Sequence, residues 1–292
     1  MHLNQPLTYG ILLSAIIASG GLLAMATTTG QDALFSEAEA YERFMGRWSR
    51  QLASALVGFA GVGDGDAVLD VGAGTGALAA AAAEAAPSSR IIGIDPAAPY
   101  VALAQARHPG DRIRFEVGDA QQMRFADATF DRTLSLLVLN FIPDAAKALD
   151  EMRRVTRHGG TVAAAVWDYG DGMQMLRTFW DEAVALNPES AAKDERNMPF
   201  CRAGELGAFW RKRGMEQVVE QGLTIETRFT GFEDYWGPFL EKQGPAGAHV
   251  ASLSLAARNQ LRERLRRRLL GDGPDRPIVL TARAWAVRGI VP

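Results

Sequence analysis

Three alternating glycines, Gly72, Gly74 and Gly76, stand in this chain with an acid before them, Asp70, and two acids after them, Asp95 and Asp119. Glycine permits main-chain angles closed to other residues, and its missing side chain lets a ligand approach the backbone. A turn between a strand and a helix adds free N–H groups and the positive end of a helix dipole. Gly72-Ala73-Gly74-Thr75-Gly76 therefore reads as a cradle for the polar part of a ligand.

Two cofactor types use such a turn, dinucleotides and S-adenosylmethionine. The dinucleotide pattern G-x-G-x-x-A is met through Ala77, and Asp95 lies near the roughly 20-residue distance of a ribose-binding acid. Three features favour the sulfonium cofactor. Asp70 would repel a pyrophosphate but suits a ligand with an ammonium and a sulfonium. Gly76 supplies a third alternate glycine. Gly118-Asp119-Ala120 follows a predicted third strand, where an acid can accept the adenine amino group.

The elements that position these residues follow from periodicity. Ala40, Phe44, Trp48, Leu52 and Leu56 recur every fourth residue, one face of a helix starting near Phe35. A short apolar run over 67–71 predicts a strand buried on both faces, with further strands over 90–94, 113–117, 130–139 and 161–167. Helices are expected over 77–86, 99–107 and 144–155, the last capped by Asp144. His158-Gly159-Gly160 reads as a turn. This alternation predicts an α/β fold, a Rossmann-like doubly wound and mostly parallel sheet. After Trp167 the rhythm changes: helices over 173–186, 202–214, 232–240 and 256–270 accompany strands over 218–229 and 278–287, completing seven strands. Residues 168–217 form a helical insertion after the fifth strand that is expected to act as a lid.

The 292 residues suffice for one large domain, and a net charge of −3 gives no reason to expect nucleic acid as partner. Cys201 is the sole cysteine, which excludes an internal disulfide and a cysteine-rich zinc site, and no histidine pair has helical metal-ligand spacing. Residues 1–26 are set apart from the domain at 27–292, because 10–26 are apolar and uncharged. Three readings stay open for them: an extension upstream of a true start at Met25, a retained membrane anchor, or a cleaved export signal. The cytoplasm is the expected compartment, with membrane attachment only through a retained anchor. The arginines from Arg258 to Arg268 read as the solvated face of an amphipathic helix.

Val68-Leu69-Asp70-Val71-Gly72-Ala73-Gly74-Thr75-Gly76, Gly93-Ile94-Asp95, Gly118-Asp119-Ala120 and Phe130-Asp131 resemble, in order, the signature segments of class I methyltransferases. Within these, the chain is similar to the type 11/25 group that includes ubiquinone/menaquinone-biosynthesis-like enzymes. The resemblance is good over about residues 38–167 and covers the rest in outline. It implies S-adenosylmethionine as cofactor and a small molecule as methyl acceptor. It implies that the 72–76 backbone holds the methionine part, Asp95 the ribose, and Asp119 with Ala120 the adenine. Leu136 and Leu137 would floor the site below the sulfonium, with Tyr41 and Arg47 closing it from the N-terminal helix. Ala73 replaces a frequent cysteine, and 139–143 lacks a histidine frequent in relatives. A nicotinamide-dependent oxidoreductase and a non-catalytic cofactor-binding module are the alternatives. No general base is assigned; Asp168, Tyr235 and His249 are placed where a strand end or lid could present one.

Overall fold

The structure is a computed structural model and describes residues 42–292. Seven strands form one sheet: β1 Ala67–Val71, β2 Arg90–Asp95, β3 Ile113–Val117, β4 Phe130–Leu136, β5 Thr156–Trp167, β6 Glu216–Phe229 and β7 Ile278–Ile290. Their order is β3-β2-β1-β4-β5-β7-β6. The first five pair in parallel, and β7 runs antiparallel between β5 and β6. Strand order thus departs in opposite directions from β1 and β4. Right-handed crossovers then place helices on both faces and open a crevice at the carboxyl ends of those two strands. A dinucleotide-binding sheet has its sixth strand beside the fifth; here antiparallel β7 takes that place.

The helices are α1 Arg47–Ala60, α2 Ala77–Ala85, α3 Ala98–Arg107, α4 Ala145–Val155, α5 Gln174–Leu186, α6 Glu205–Lys212, α7 Phe232–Trp236, α8 Gly244–Ser252 and α9 Leu255–Leu270. A π-helical turn, Glu42–Gly46, leads into α1. The fourfold spacing is realised: Phe44, Trp48, Leu52 and Leu56 are all buried, and α1 packs on α2 and across β4 to β7. Alanine at 79, 81, 82 and 83 gives α2 a shallow buried face against β1 and β2. Asp144 caps α4 by accepting from the Lys147 N–H at 2.9 Å.

Several boundaries differ from the sequence reading. Strand β4 stops at Leu136 rather than 139, because Leu137 has φ +63° and turns the chain. Strand β5 begins at Thr156, paired with Phe130, and Thr161 is its next partner on β4, opposite Arg132. The expected turn is thus a bulge within the strand, with Gly159 at φ +72°. Helix α6 is shorter than 202–214 and packs on β6 and β7.

Helix α8 was not expected, because Gly244 and Pro245 open it. It joins α5, the short helical turns 188–193 and 237–241, and, through α5, helix α9 in a cap. That cap draws on 174–197 and 232–270, so helices after β6 contribute to it as well as those after β5. Arg262, Arg264 and Arg268 of α9 pair with Glu233, Glu182 and Asp181. Much of the expected solvated face is therefore a seam between helices. Among the described residues no helix is long and apolar enough to cross a membrane; residues 10–26 lie outside them.

Candidate functional site

The glycine turn closes β1 at the crevice. Gly72, Gly74 and Gly76 have φ of +76°, +53° and +91°, the left-handed region that disfavours side chains. Their surroundings differ. A Cβ on Gly72 would lie 2.5 Å from Val138 Cγ1, and one on Gly76 2.8 Å from Phe115 Cζ. A Cβ on Gly74 would meet nothing within 4 Å. Gly72 and Gly76 are therefore required by packing, whereas Gly74 borders open space.

The expectation of free N–H groups along the turn is corrected for four of its five residues. Gly72 and Ala73 donate to the Ile94 carbonyl at 2.8 and 2.9 Å, and Gly76 donates to the Ala73 carbonyl at 2.8 Å. Gly74 donates to Asp95 Oδ2 at 3.0 Å. All but the Gly76 bond fasten the turn to β2.

Asp70 is 1% exposed. Its Oδ2 accepts from the Ala79 N–H of α2 at 3.0 Å, while Oδ1 is buried without a partner among the described residues. Burial pushes its carboxyl up to about 7; the Ala79 N–H opposes the shift and the nearby Asp95 charge adds to it. Asp95 is also buried, with Oδ1 accepting from the Ala97 N–H at 2.9 Å at the start of α3. Burial raises its pKa, opposed by the N–H groups of Ala97 and Gly74. Among the described residues neither acid has a cationic partner within ion-pair distance. Two buried carboxyls without a counter-ion make the crevice a place for a cation and an unfavourable one for a pyrophosphate.

Asp119 lies exposed after β3, its Oδ1 accepting from the Gln121 N–H at 2.8 Å. Ala120 beside it is half-buried. Leu136 and Leu137 are buried at the end of β4. Tyr41 lies outside the described residues. Arg47 does not reach for the turn. Its guanidinium donates to Asp234 Oδ1 at 2.8 Å and stacks over the Trp48 and Phe229 rings, with centroids 4.3 and 4.9 Å away. This ties α1 to the cap.

Sequence reasoning missed Glu42. Its carboxylate accepts from the Thr75 hydroxyl inside the glycine turn, and Arg50 and Arg107 flank it at 2.6 and 3.3 Å. The N-terminal helix thus meets the turn through this acid. No local spacing signals it, since Thr75 is 33 positions away. The three candidate bases are engaged elsewhere. Asp168 pairs with Arg283 at 2.5 Å. The fully buried Tyr235 hydroxyl donates to the Met175 carbonyl at 2.9 Å. His249 is buried in the cap, 3.5 Å from the Ser190 hydroxyl.

Comparison with known proteins agrees with this geometry. The family described as "Methyltransferase domain" matches residues 69–164, from β1 into β5. A demethylmenaquinone methyltransferase of Roseiflexus castenholzii is 34% identical over 181 residues, covering 56% of this chain and 75% of that protein. The chain belongs to the class I S-adenosylmethionine-dependent methyltransferases. S-adenosylmethionine is accordingly the cofactor of this methyltransferase. An uncharacterised protein of Mycobacterium tuberculosis is 28% identical over 211 residues, 70% of the methyltransferase and 75% of the relative. The fold is shared with Haemonchus contortus phosphoethanolamine N-methyltransferase 2 solved with S-adenosylhomocysteine, at TM-score 0.53, 19% identity, 91% of this chain and 58% of that one.

Proposed function

We propose that this enzyme moves the methyl group of S-adenosylmethionine to a small-molecule acceptor in the crevice between β1 and β4. The observation that carries the reading is the buried, unpartnered Asp70 Oδ1 beside a glycine turn that borders open space at Gly74. A cationic ligand head completes that oxygen, and a chain without side chains lets it approach. Four of the five turn N–H groups are engaged within the protein, so the turn meets the methionine part mainly through its carbonyls.

Asp95 keeps lone pairs on both oxygens after its two backbone bonds, and it is the acceptor for the ribose hydroxyls. Asp119 and the Ala120 amide take the adenine edge. Leu136 and Leu137 exclude water from the reacting centre, where an ordered apolar wall favours alignment over solvation. Glu42 closes the turn from the N-terminal side, the role expected of Tyr41 and Arg47. The bound cofactor supplies an electrophilic methyl on a sulfonium, reached by in-line displacement.

Two relatives are named for small-molecule acceptors: the demethylmenaquinone enzyme above and an arsenite methyltransferase of Halobacterium salinarum, 26% identical over 214 residues and matched over 49% of its length. These names support the acceptor class. Calorimetry with S-adenosylhomocysteine and with NAD(P) tests the donor, and label transfer from methyl-labelled S-adenosylmethionine into low-mass products tests the acceptor class. Binding of NAD(P) without binding of S-adenosylhomocysteine would sink the reading. Cofactor binding with no transfer across a broad acceptor panel would convert it to a binding module.

A further inference from the structure

Helix α9 carries six arginines from Arg258 to Arg268, and its seam with α5 uses only some of them. Arg264 donates from Nε to Glu182 Oε2 at 2.7 Å. Arg268 reaches Glu182 at 3.2 Å and Asp181 at 2.9 Å. Arg267 is exposed and has no acidic partner among the described residues. Arg264, Arg267 and Arg268 stand three and four positions apart, so their charges crowd one helix face, a spacing that weakens a helix.

The helix end does not account for Arg267. Cations in a last turn offset the dipole or cap the final carbonyls. Those carbonyls are already taken: the Gly271 N–H donates to the Arg267 carbonyl at 2.8 Å, and Arg276 donates to the Leu270 carbonyl at 3.4 Å. Arg266 donates to the Gly273 carbonyl at 2.9 Å, so it and Arg268 already bring cations to this end.

Arg264, Arg267 and Arg268 line a cleft of about 240 Å³ together with Glu182. Three guanidiniums thus face one carboxylate. The terminal nitrogens of Arg264 and every nitrogen of the Arg267 side chain lack partners among the described residues. A guanidinium is a planar fork that matches two oxygens of one phosphate. All four lining residues are charged, so the fitting ligand is compact and anionic. A phosphate monoester carries a charge of about −1.5 to −2 near pH 7 and three acceptor oxygens, enough to meet several guanidiniums at once. Helix α9 packs on α5 and α7, and none of the four residues belongs to the crevice between β1 and β4.

We propose that the cleft between α5 and α9 binds a phosphate group, presented by free phosphate or a monoester or by a lipid headgroup, with Arg267 as its main ligand and Arg264 and Arg268 beside it. The bound phosphate relieves the crowding of like charge on α9 and leaves the Glu182 seam in place. The site is separate from the methyl-transfer crevice and independent of that reading.

Inorganic phosphate is the first probe, added to the full chain at constant ionic strength. Its ³¹P line width should show saturable binding with Kd of about 1 mM or tighter, and about 10 mM phosphate should raise the melting temperature by about 2–4 °C. Arg267→Ala should weaken binding at least about ten-fold, and Arg267→Lys, which keeps the charge and loses the fork, by about three-fold. Neither variant breaks a contact, so both should melt like the natural protein without phosphate. Arg211→Ala, at an exposed arginine of α6, should bind phosphate normally. Phosphatidylcholine vesicles containing phosphatidic acid separate the sources: pelleting lost in Arg267→Ala assigns the headgroup, and no pelleting beside saturable phosphate binding assigns the soluble anion. Binding to neither source, equal binding by the natural protein and Arg267→Ala, or equal pelleting by phosphatidylserine vesicles would overturn the proposal.

Discussion

Replacing Asp70 by Asn tests the physical basis of the cofactor site, because the side chain keeps its shape and loses its charge. The folded carboxyl titrates at about 7, against an ordinary value of 3.8. At 1.36 kcal/mol per unit, that gap is an upper bound of about 4 kcal/mol. The sign follows from the raised value: the contribution to stability is full below about pH 4 and is lost as pH rises through 7. Asn removes the buried charge but leaves an unpaired amide hydrogen worth about 1–3 kcal/mol, so a net gain of about 1–3 kcal/mol remains near pH 8. The variant should melt several degrees higher than the natural protein near pH 8, and no higher near pH 5. Binding should move the other way. A cation in the crevice favours the ionised carboxylate, so S-adenosylhomocysteine affinity should fall by up to about ten-fold per unit as pH drops below 7. Calorimetry across that range should show the slope in the natural protein and a weaker, flat affinity in Asp70→Asn. Parallel slopes in the two proteins would refute the assignment of Asp70 to the ligand cation.

Other consequences follow from the same contacts. Gly72→Ala should impair folding through overlap with Val138, whereas Gly74→Ala should cost only about 1–2 kcal/mol of strain yet weaken S-adenosylhomocysteine at least about ten-fold; melting and calorimetry separate the two. Arg47→Ala should lower stability by about 1–2 kcal/mol through lost stacking and the Asp234 pair while leaving cofactor affinity nearly unchanged; a large loss of affinity would return Arg47 to the cofactor. Glu42→Ala should quicken S-adenosylhomocysteine release in stopped-flow traces, because the acid bridges α1 and the glycine turn. Glu195, buried against Trp180, has its carboxyl raised to about 7 by burial. Its stabilising contribution is therefore lost as pH rises through 7, and Glu195→Gln should narrow the fall in melting temperature between about pH 6 and pH 8.

The parallel half of the fold was legible because its signals are local. Strands β1 and β3 were read to the residue, and β2 to within one, β1 as a short apolar run and all three from the glycines and prolines that bound them. Asp144 announced its cap by type and position. The acids Asp70 and Asp95 were found as chemistry, and a helix cap was a second reading for Asp95, yet the sequence did not show that Asp70 also fastens the Ala79 N–H or Asp95 the Gly74 N–H. What stayed hidden depends on tertiary context. Leucine at 137 gives no sign of a left-handed conformation, which packing imposes. Arg47 looks like a ligand-binding cation until the aromatic pair and Asp234 are seen around it. Glu42 meets Thr75 only through tertiary packing, which lays the π-helical turn ahead of α1 against the glycine turn. Helix α8 was masked by Gly244 and Pro245 at its start, and burial of Ala246 and Val250 secures it.

The central claim is that the crevice opened by Gly74 between β1 and β4 holds the methyl donor. Calorimetric titration of the natural protein and of Gly74→Val with S-adenosylhomocysteine tests it most directly. The account predicts saturable binding to the natural protein and none to the variant, with the variant's far-UV circular dichroism unchanged. Equal affinity for both proteins would contradict it.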